Sequence, residues 1–599
     1  MSSFDRRQLL RTASVVGGGL ALSSLLPGWA QSATPVFGPT LPTLVGPDIK
    51  LRIGHSSLNV DGKAGHAVTI NGTVPGPLLR FKEGQTVRLS VTNDLDEETS
   101  IHWHGLLVPF QMDGVPGISF PGIKPGETFV YEFPVKQSGT YWYHSHSGLQ
   151  EAEGQYGPII IDPADPDPVA YDREHVIVLS DFSFVHPHLI FKRMKQQSGL
   201  FNFQKQTVGG LLAGRDQTLN ERMDWARMRM DPTDISDVTG SALKFLVNGH
   251  GPADNWTGLF KPGERVRLRF INTAAQTMFN LRIPGLKMTV VAADGQNVRP
   301  VEVDEFQIGN AETYDVIVQP TDDKAFTLVA EAVDRSGMGR ATLAPRAGMT
   351  APVPPLRERP LTTMRDMGMD MSAMQGMAGM DHDMTAMPGM TPPPGIAPPK
   401  PRGSDAMGNS MAGMKMSMRD PQNAPQVKLG PGVQMISPVP VDRTGEPGQG
   451  LESVGHRVLV YRDLVALTPG VDMRMPTRAL DIRLTGNMER FMWGFDGLKF
   501  SETSQPYAFE KNERVRVTLI NDTMMAHPIH LHGHFFELTH APTGYGPRKH
   551  TVIVLPGGKV SWDFTADPGD WAFHCHMLYH MHAGMFQVFS VRPLDGAPA

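Results

Sequence analysis

Phe81-Lys-Glu-Gly-Gln-Thr-Val-Arg-Leu-Ser-Val-Thr-Asn93 is written twice more in the chain, as Phe260-Lys-Pro-Gly-Glu-Arg-Val-Arg-Leu-Arg-Phe-Ile-Asn272 and as Phe509-Glu-Lys-Asn-Glu-Arg-Val-Arg-Val-Thr-Leu-Ile-Asn521. Each copy opens on a turn and continues with apolar side chains at alternate positions, the period of a strand that buries one face. The chain reads as a triplication. At 599 residues it is too long for one core and suits three or four domains. Short alternating stretches between Gly, Pro, Asn and Asp turns predict an all-β protein built of sandwiches with Greek-key connections. One exception is expected, an amphipathic helix over 217–230 capped by Asp216, with Met223, Met228 and Met230 read as core rather than as part of a metal path.

Aligned on the closing Asn, the first copy has His102 and His104 nine and eleven residues later, and the third has His530 and His532. The middle copy has Leu281 and Ile283 there, so no metal is expected at that place. Residues two apart on a strand point the same way, so each outer copy projects a pair of imidazoles. A second alignment, on a Gly five residues ahead, sets Gly139-Thr-Tyr-Trp-Tyr-His144-Ser145-His146 beside Gly569-Asp-Trp-Ala-Phe-His574-Cys575-His576. The middle copy, at 326–331, has no His in the corresponding region. Four His-x-His pairs supply eight imidazoles, more than one zinc site uses, and a structural zinc site would favour clustered cysteines. A cluster of several metals fits better.

Cys575 is the only cysteine, so no internal disulfide can form. A lone Cys is commonly a small buried hydrophobe, but its neighbours here argue for chemistry. His527, Cys575 and His580, with Met585 as a long axial thioether, have the composition of a blue copper electron-transfer centre. In an extended strand Cys575 faces away from His574 and His576, so one short segment would touch a mononuclear copper on one side and the cluster on the other.

Taken together, His102-Trp-His-Gly105, His144-Ser-His146, His527-Pro-Ile-His-Leu-His-Gly-His534 and His574-Cys-His-Met-Leu-Tyr-His580 followed by Met585 resemble the four signature motifs of multicopper oxidases. The resemblance implies three cupredoxin-like domains, expected at 48–165, 170–345 and 455–595. It implies four copper ions, with His102 and His530 on the type 2 copper. His104, His144, His146, His532, His574 and His576 would hold the type 3 pair, and His527, Cys575, His580 and Met585 the type 1 copper. The implied reaction is four one-electron oxidations coupled to reduction of dioxygen to water, with Cys575 and Asp113 as the catalytic residues. Asp113 matches the family's acid near the type 2 copper, although an Asp before Gly114 and Pro116 is also ordinary turn chemistry. The chain departs from the pattern at Tyr579, where many bacterial laccases carry a proton-relaying Glu just before the last His of the fourth motif.

Between the second and third domains, 346–425 turns to Pro, Gly and Met, and 364–418 holds 15 of the 35 methionines. Gly and Pro oppose a long helix, disordered spacers are not ordinarily Met-rich, and soft thioethers select Cu(I). This segment is expected to bind additional copper, and with the export signal it resembles the periplasmic copper-resistance protein A group. That signal comprises the twin arginines Arg6-Arg7, an apolar run over 13–26 and small residues near Ala30, and is expected to span 1–33. The apolar run is too short to span a bilayer comfortably, and no later stretch is long and apolar enough, so a monomeric periplasmic protein with no membrane span is expected. A net charge of −6 without a basic stripe speaks against nucleic acid. The expected reductant is Cu(I), with phenolic compounds as further substrates and copper-exchanging periplasmic proteins as partners. The rival readings are a laccase-like phenol oxidase and a protein that only sequesters copper.

Overall fold

The computed structural model describes residues 41–369 and 418–594. The expected export signal at 1–33 and the segment 370–417, with most of the clustered methionines, lie outside the described residues.

Six sheets account for nearly all of the regular structure, two for each sequence copy. The three repeated stretches form the strands Thr86–Asn93, Val266–Asn272 and Arg514–Asn521. Each pairs in parallel with the strand three places earlier in the chain, Asp48–Val60, Arg173–Phe182 and Arg478–Asn487 respectively. Each is flanked on its other side by an antiparallel strand. The alternation pays off as predicted: in the first copy Val87, Leu89 and Val91 are buried while Thr86 and Arg88 are exposed. In that copy, Leu51 and Val87 from one sheet and Leu79 and Ile159 from the other share one core. The second and third copies share a second, continuous core that runs from Leu268 and Leu328 to Val517 and Phe573.

The closing Asn performs one task three times. The Asn93 side-chain amide donates to the carbonyls of Glu97 and Ile123, Asn272 to Thr277 and Ile308, and Asn521 to Met525 and Val554. Its oxygen accepts from the N–H two residues on, at Leu95, Ala274 and Thr523. Each Asn therefore ties the end of its strand to the loop that leads to the next one, and all three are fully buried. A side chain without both donor and acceptor could not satisfy these groups.

Helices are few. That expected over 217–230 runs Leu219–Met228, and its cap is Thr218, which closes a capping box with Glu221. Asp216 does not cap it: the residue sits at φ 61° and pairs with Arg359. Met223 is 48% exposed and so is not core, whereas Met228 and Met230 pack in a cluster taken up below. No helix among the described residues is long and apolar enough to cross a membrane.

The Asn272→Ala substitution, in the copy that lacks the His-x-His pairs, leaves two buried carbonyls and one N–H without partners. At about 1–3 kcal/mol for each such group, the urea midpoint should fall clearly. An unaltered midpoint would remove the Asn pin from the account of the fold.

Candidate metal centre

Register brings the separate His-x-His pairs together. In the first copy the short strand His102–His104 lies antiparallel to Gly139–His144, with His102 opposite His144 and His104 opposite Trp142. In the third, His527–Leu531 lies against Gly569–Cys575, with His530 opposite His574 and Ile529 opposite Cys575. The glycines on which these motifs align, Gly139 and Gly569, have φ of 129° and 152°. A Cβ at Gly139 would strike the Gly295 carbonyl. In the middle copy the strand Phe279–Arg282 occupies the same place in its sheet, and there Leu281 and Ile283 are buried core residues.

The imidazoles of the first and third copies converge on one buried volume. Among the sets whose ligand atoms lie within 4.8 Å of one another are His102, His104 and His144; His102, His530 and His532; and His146, His532 and His574. One nitrogen of most rings is tied down and the other is left bare. His102 Nδ1 donates to the Asp113 carbonyl at 2.7 Å, His530 Nδ1 to the His550 carbonyl at 2.6 Å, and His144 Nδ1 faces Glu151 at 2.6 Å. The opposite Nε2 atoms of His102, His144 and His530, with those of His146 and His576 and Nδ1 of His104, have no partner. His532 Nδ1 donates to the Asp113 carboxylate at 2.8 Å and His574 Nδ1 to the Cys575 carbonyl at 3.0 Å, so their Nε2 lone pairs confront each other across 3.0 Å. Burial first, and crowding by other imidazoles second, holds His104, His144, His146, His530, His532 and His576 well below the usual histidine range. His574 is pushed down to about 4. Neutral rings with orphaned, converging lone pairs are what a cationic cluster requires.

Cys575, on the opposite face of its strand, lies in a second site. Its Sγ is 3.6 Å from His527 Nδ1 and 3.8 Å from His580 Nδ1, and the two Nδ1 atoms are 3.2 Å apart. Their Nε2 atoms are engaged elsewhere, His527 with the Thr523 hydroxyl at 2.7 Å and His580 with Asp237 at 2.6 Å. Three donors of the blue-copper type thus face one point. Trp493 stacks on the His580 ring at 4.1 Å. Met585 is fully buried, its carbonyl accepts from the Cys575 N–H, and its own N–H donates to His580. Burial pushes the Cys575 thiol up, so that a thiolate there needs a cation beside it. In the first copy Ser145, the counterpart of Cys575, spends its hydroxyl on Gln150 at 2.8 Å.

All of the sequence-predicted ligands fall in these two places, and Asp113 lies between His102 and His532, 3.3 and 2.8 Å away. Tyr579 is buried. Several polar partners escaped the sequence reading. Glu151 follows the second motif closely but in no pattern, while Asp237 reaches His580 from 343 residues upstream. His550 groups with His104 and His530. No repeat or spacing marks any of them.

Multicopper oxidase family models match residues 52–166, 212–350 and 473–595. The chain belongs to the multicopper oxidase family, and it is an oxidoreductase of that class. It is 48% identical to "Copper resistance protein A" of Escherichia coli over 97% of this chain and 98% of that one. It is also 48% identical to the protein of the same name from Pseudomonas syringae pv. tomato, over 98% and 99%. Its fold is that of the solved laccase from Botrytis aclada, 23% identical, with a TM-score of 0.58 over 92% of this chain and 88% of that one.

The Asp237→Asn variant keeps the shape but removes the negative charge from His580. A metal ion held by His527, Cys575 and His580 should be bound about 10–100-fold more weakly, measured by chelator competition. Unchanged affinity and an unchanged reduction potential would reduce Asp237 to packing.

Proposed function

We propose that this oxidase takes electrons from Cu(I), releasing Cu(II), and delivers four of them with four protons to dioxygen to make two waters. In this reading His527, Cys575, His580 and Met585 hold a type 1 copper, and His102 and His530 a type 2 copper. His104, His144, His146, His532, His574 and His576 hold a type 3 pair. The donor sets fit: thiolate with two imidazoles at the first, orphaned neutral imidazoles at the others. Copper, when bound, supplies reversible one-electron chemistry at the cysteine and multi-electron reduction of dioxygen at the cluster.

The chain's own residues do the rest. Cys575 and its two flanking histidines give an electron a short covalent route from one face of the strand to the other. A hydrogen bond between the Cys575 carbonyl and His574 Nδ1 tightens that route. Asp113 accepts from His532 at Oδ2 and has no hydrogen bond at Oδ1, the oxygen at which it can take up or pass a proton. Glu151, buried and raised well above the usual carboxylate range by desolvation, is a second carboxyl against the cluster.

The observation that carries Cu(I) as the substrate is a nest of thioethers beside the cysteine site. Met367, Met435 and Met524 are buried around Trp225, and Met228, Met230, Met369, Met418 and Met488 pack against them. Met369 and Met418 are the last and first described residues on either side of 370–417, so both described flanks of that segment end in this nest. Met524 is three residues from His527. A cavity of about 240 Å³ opens among Met230, Met488 and Met524, with Asp231, Asp234 and Glu489 on its wall. Burial, with Asp231 alongside, pushes the Asp234 carboxyl up to about 7. Soft sulfur with a few acids suits a copper ion arriving reduced and leaving oxidised better than it suits a phenol ring. The relatives' name, the methionine-rich segment and the twin-arginine start together support a periplasmic role in copper resistance, with extra copper on 370–417. Three domains at about 48–165, 170–345 and 455–595, the last two joined by a methionine-rich linker over 346–425, complete the reading.

Oxygen uptake on a Cu(I) complex by the copper-loaded protein should far exceed that of a Cys575→Ser variant, which should also lose the blue absorption. No difference between the two would sink the oxidase reading, and undiminished copper tolerance in cells carrying Cys575→Ser would favour sequestration. In a Met488→Leu, Met524→Leu double variant, KM for Cu(I) should rise while phenol turnover stays the same. Equal loss on both substrates would mean that the nest only packs.

A further inference from the structure

The first and second copies meet at a group of polar side chains that the oxidase chemistry does not use. Glu153 closes the short helical turn Gln150–Glu153 and is only 8% exposed. The nearest basic groups to its Oε2 are His66 Nε2 at 3.7 Å, from the strand Lys63–Ile70, and His186 Nε2 at 3.9 Å, from the N-cap of the helix Pro187–Gln196. Neither distance is a hydrogen bond. Burial raises the Glu153 carboxyl, and the two imidazoles pull it back only in part. Two more imidazoles stand behind these, His55 with its ring 5.0 Å from His66 and His188 with its ring 5.5 Å from His186.

We propose that His66, Glu153 and His186 form a binding site for one divalent ion of the Cu(II) or Zn(II) type, bridging the first and second copies. Two metal–ligand bonds of about 2.0–2.1 Å span at most about 4.2 Å, so both N···O separations already lie within reach of a shared ion. The donor set decides the class of ion. Two imidazoles and a carboxylate suit Cu(II) or Zn(II), whereas Mg²⁺ and Ca²⁺ want oxygen and Cu(I) wants sulfur. A water or the ring of His55 or His188 can complete four-coordination. His66 and His186 are about half exposed, with side-chain exposures of 53% and 55%, so an ion can enter from solvent without opening the fold. At His186, binding through Nε2 puts the ring proton on Nδ1. That nitrogen now accepts from the His188 N–H at 3.3 Å, so a helix-capping bond is exchanged for the metal.

The site is also connected to the cluster. Glu151, two residues before Glu153 in the same turn, carries the carboxylate that faces His144 Nδ1. An ion that fixes Glu153 against His186 would therefore steady the turn that orients a cluster imidazole. The inference rests on the arrangement at Glu153 and is independent of whether Cu(I) is the electron donor.

Zn(II) is the probe, since it is redox-inert and thioethers hold it weakly. Copper-loaded protein is first freed of loosely held Cu(II) by a chelator wash that leaves the blue absorption intact, because Cu(II) would outcompete Zn(II) at this site. It should then take up one zinc per chain on equilibration with Zn(II), with a rise in Tm, as expected when a ligand binds only the folded state. Both should be lost in Glu153→Gln and in the double variant His66→Ala, His186→Ala, each retaining the blue absorption as evidence of folding. Both should persist in His382→Ala, which removes the one histidine of the methionine-rich segment. Failure of the native protein to bind zinc, or zinc binding and a Tm rise that survive in the two site variants, would overturn the proposal.

Discussion

The pairing of Gly569–Cys575 with His527–Leu531 is the constraint on which the metal chemistry depends. In that register His530 stands opposite His574 and Ile529 opposite Cys575. Because successive residues of a strand face opposite ways, the thiol turns to His527 and His580 while the neighbouring histidines turn to the imidazoles of the first copy. A slip of one residue would exchange the faces, and neither ligand set would assemble. The cores on either side hold the register, since Phe573 and Ile529 pack in the same apolar cluster as Cys575.

Burying so many imidazoles in one volume has a cost that shapes the surroundings. Burial and crowding disfavour the protonated form of most of these rings, and a neutral imidazole has one donor and one acceptor nitrogen. The protein fixes which is which by giving the donor a partner at Asp113, Glu151, His550 or Cys575, leaving the acceptor aimed inward. At the cysteine site Thr523 and Asp237 do the same for His527 and His580. The orphaned nitrogens are the visible residue of this arrangement.

The middle copy lost the histidines of the repeat, yet it supports both centres. It supplies Asp237 to His580. Asp181, which accepts from the N–H groups of Ala275, Gln276 and Thr277, shapes the loop whose Ala275 carbonyl receives the N–H of Leu578, within the last motif. It also supplies Asp294 and Glu312, each 3.0 Å from the fully buried Lys549 of the third copy. Removing one partner of such a buried set leaves an uncompensated charge, so the ions specify how the two copies seat together. Asp294 in turn accepts from the N–H groups of His550 and Thr551, beside the cluster.

Sequence alone determined what is periodic or spaced. Alternation named the strands, the repeat counted three copies, and the distance from each closing Asn to the histidines marked which copies carry metal. Cys575 in place of Ser145 located the thiolate site. These features are local, because strand period and repeat register act over a few residues. The cap at Thr218 rather than Asp216 shows where even local reading slips, since several polar residues can serve and only the backbone chooses. The tertiary structure alone decided which distant groups complete each site. Asp237 and His580 are 343 residues apart, and Glu153 lies between His66 and His186 only because two copies pack there. Pairings of that kind leave no period in the chain; they arise when separate cores close on one another and desolvated polar atoms must find partners.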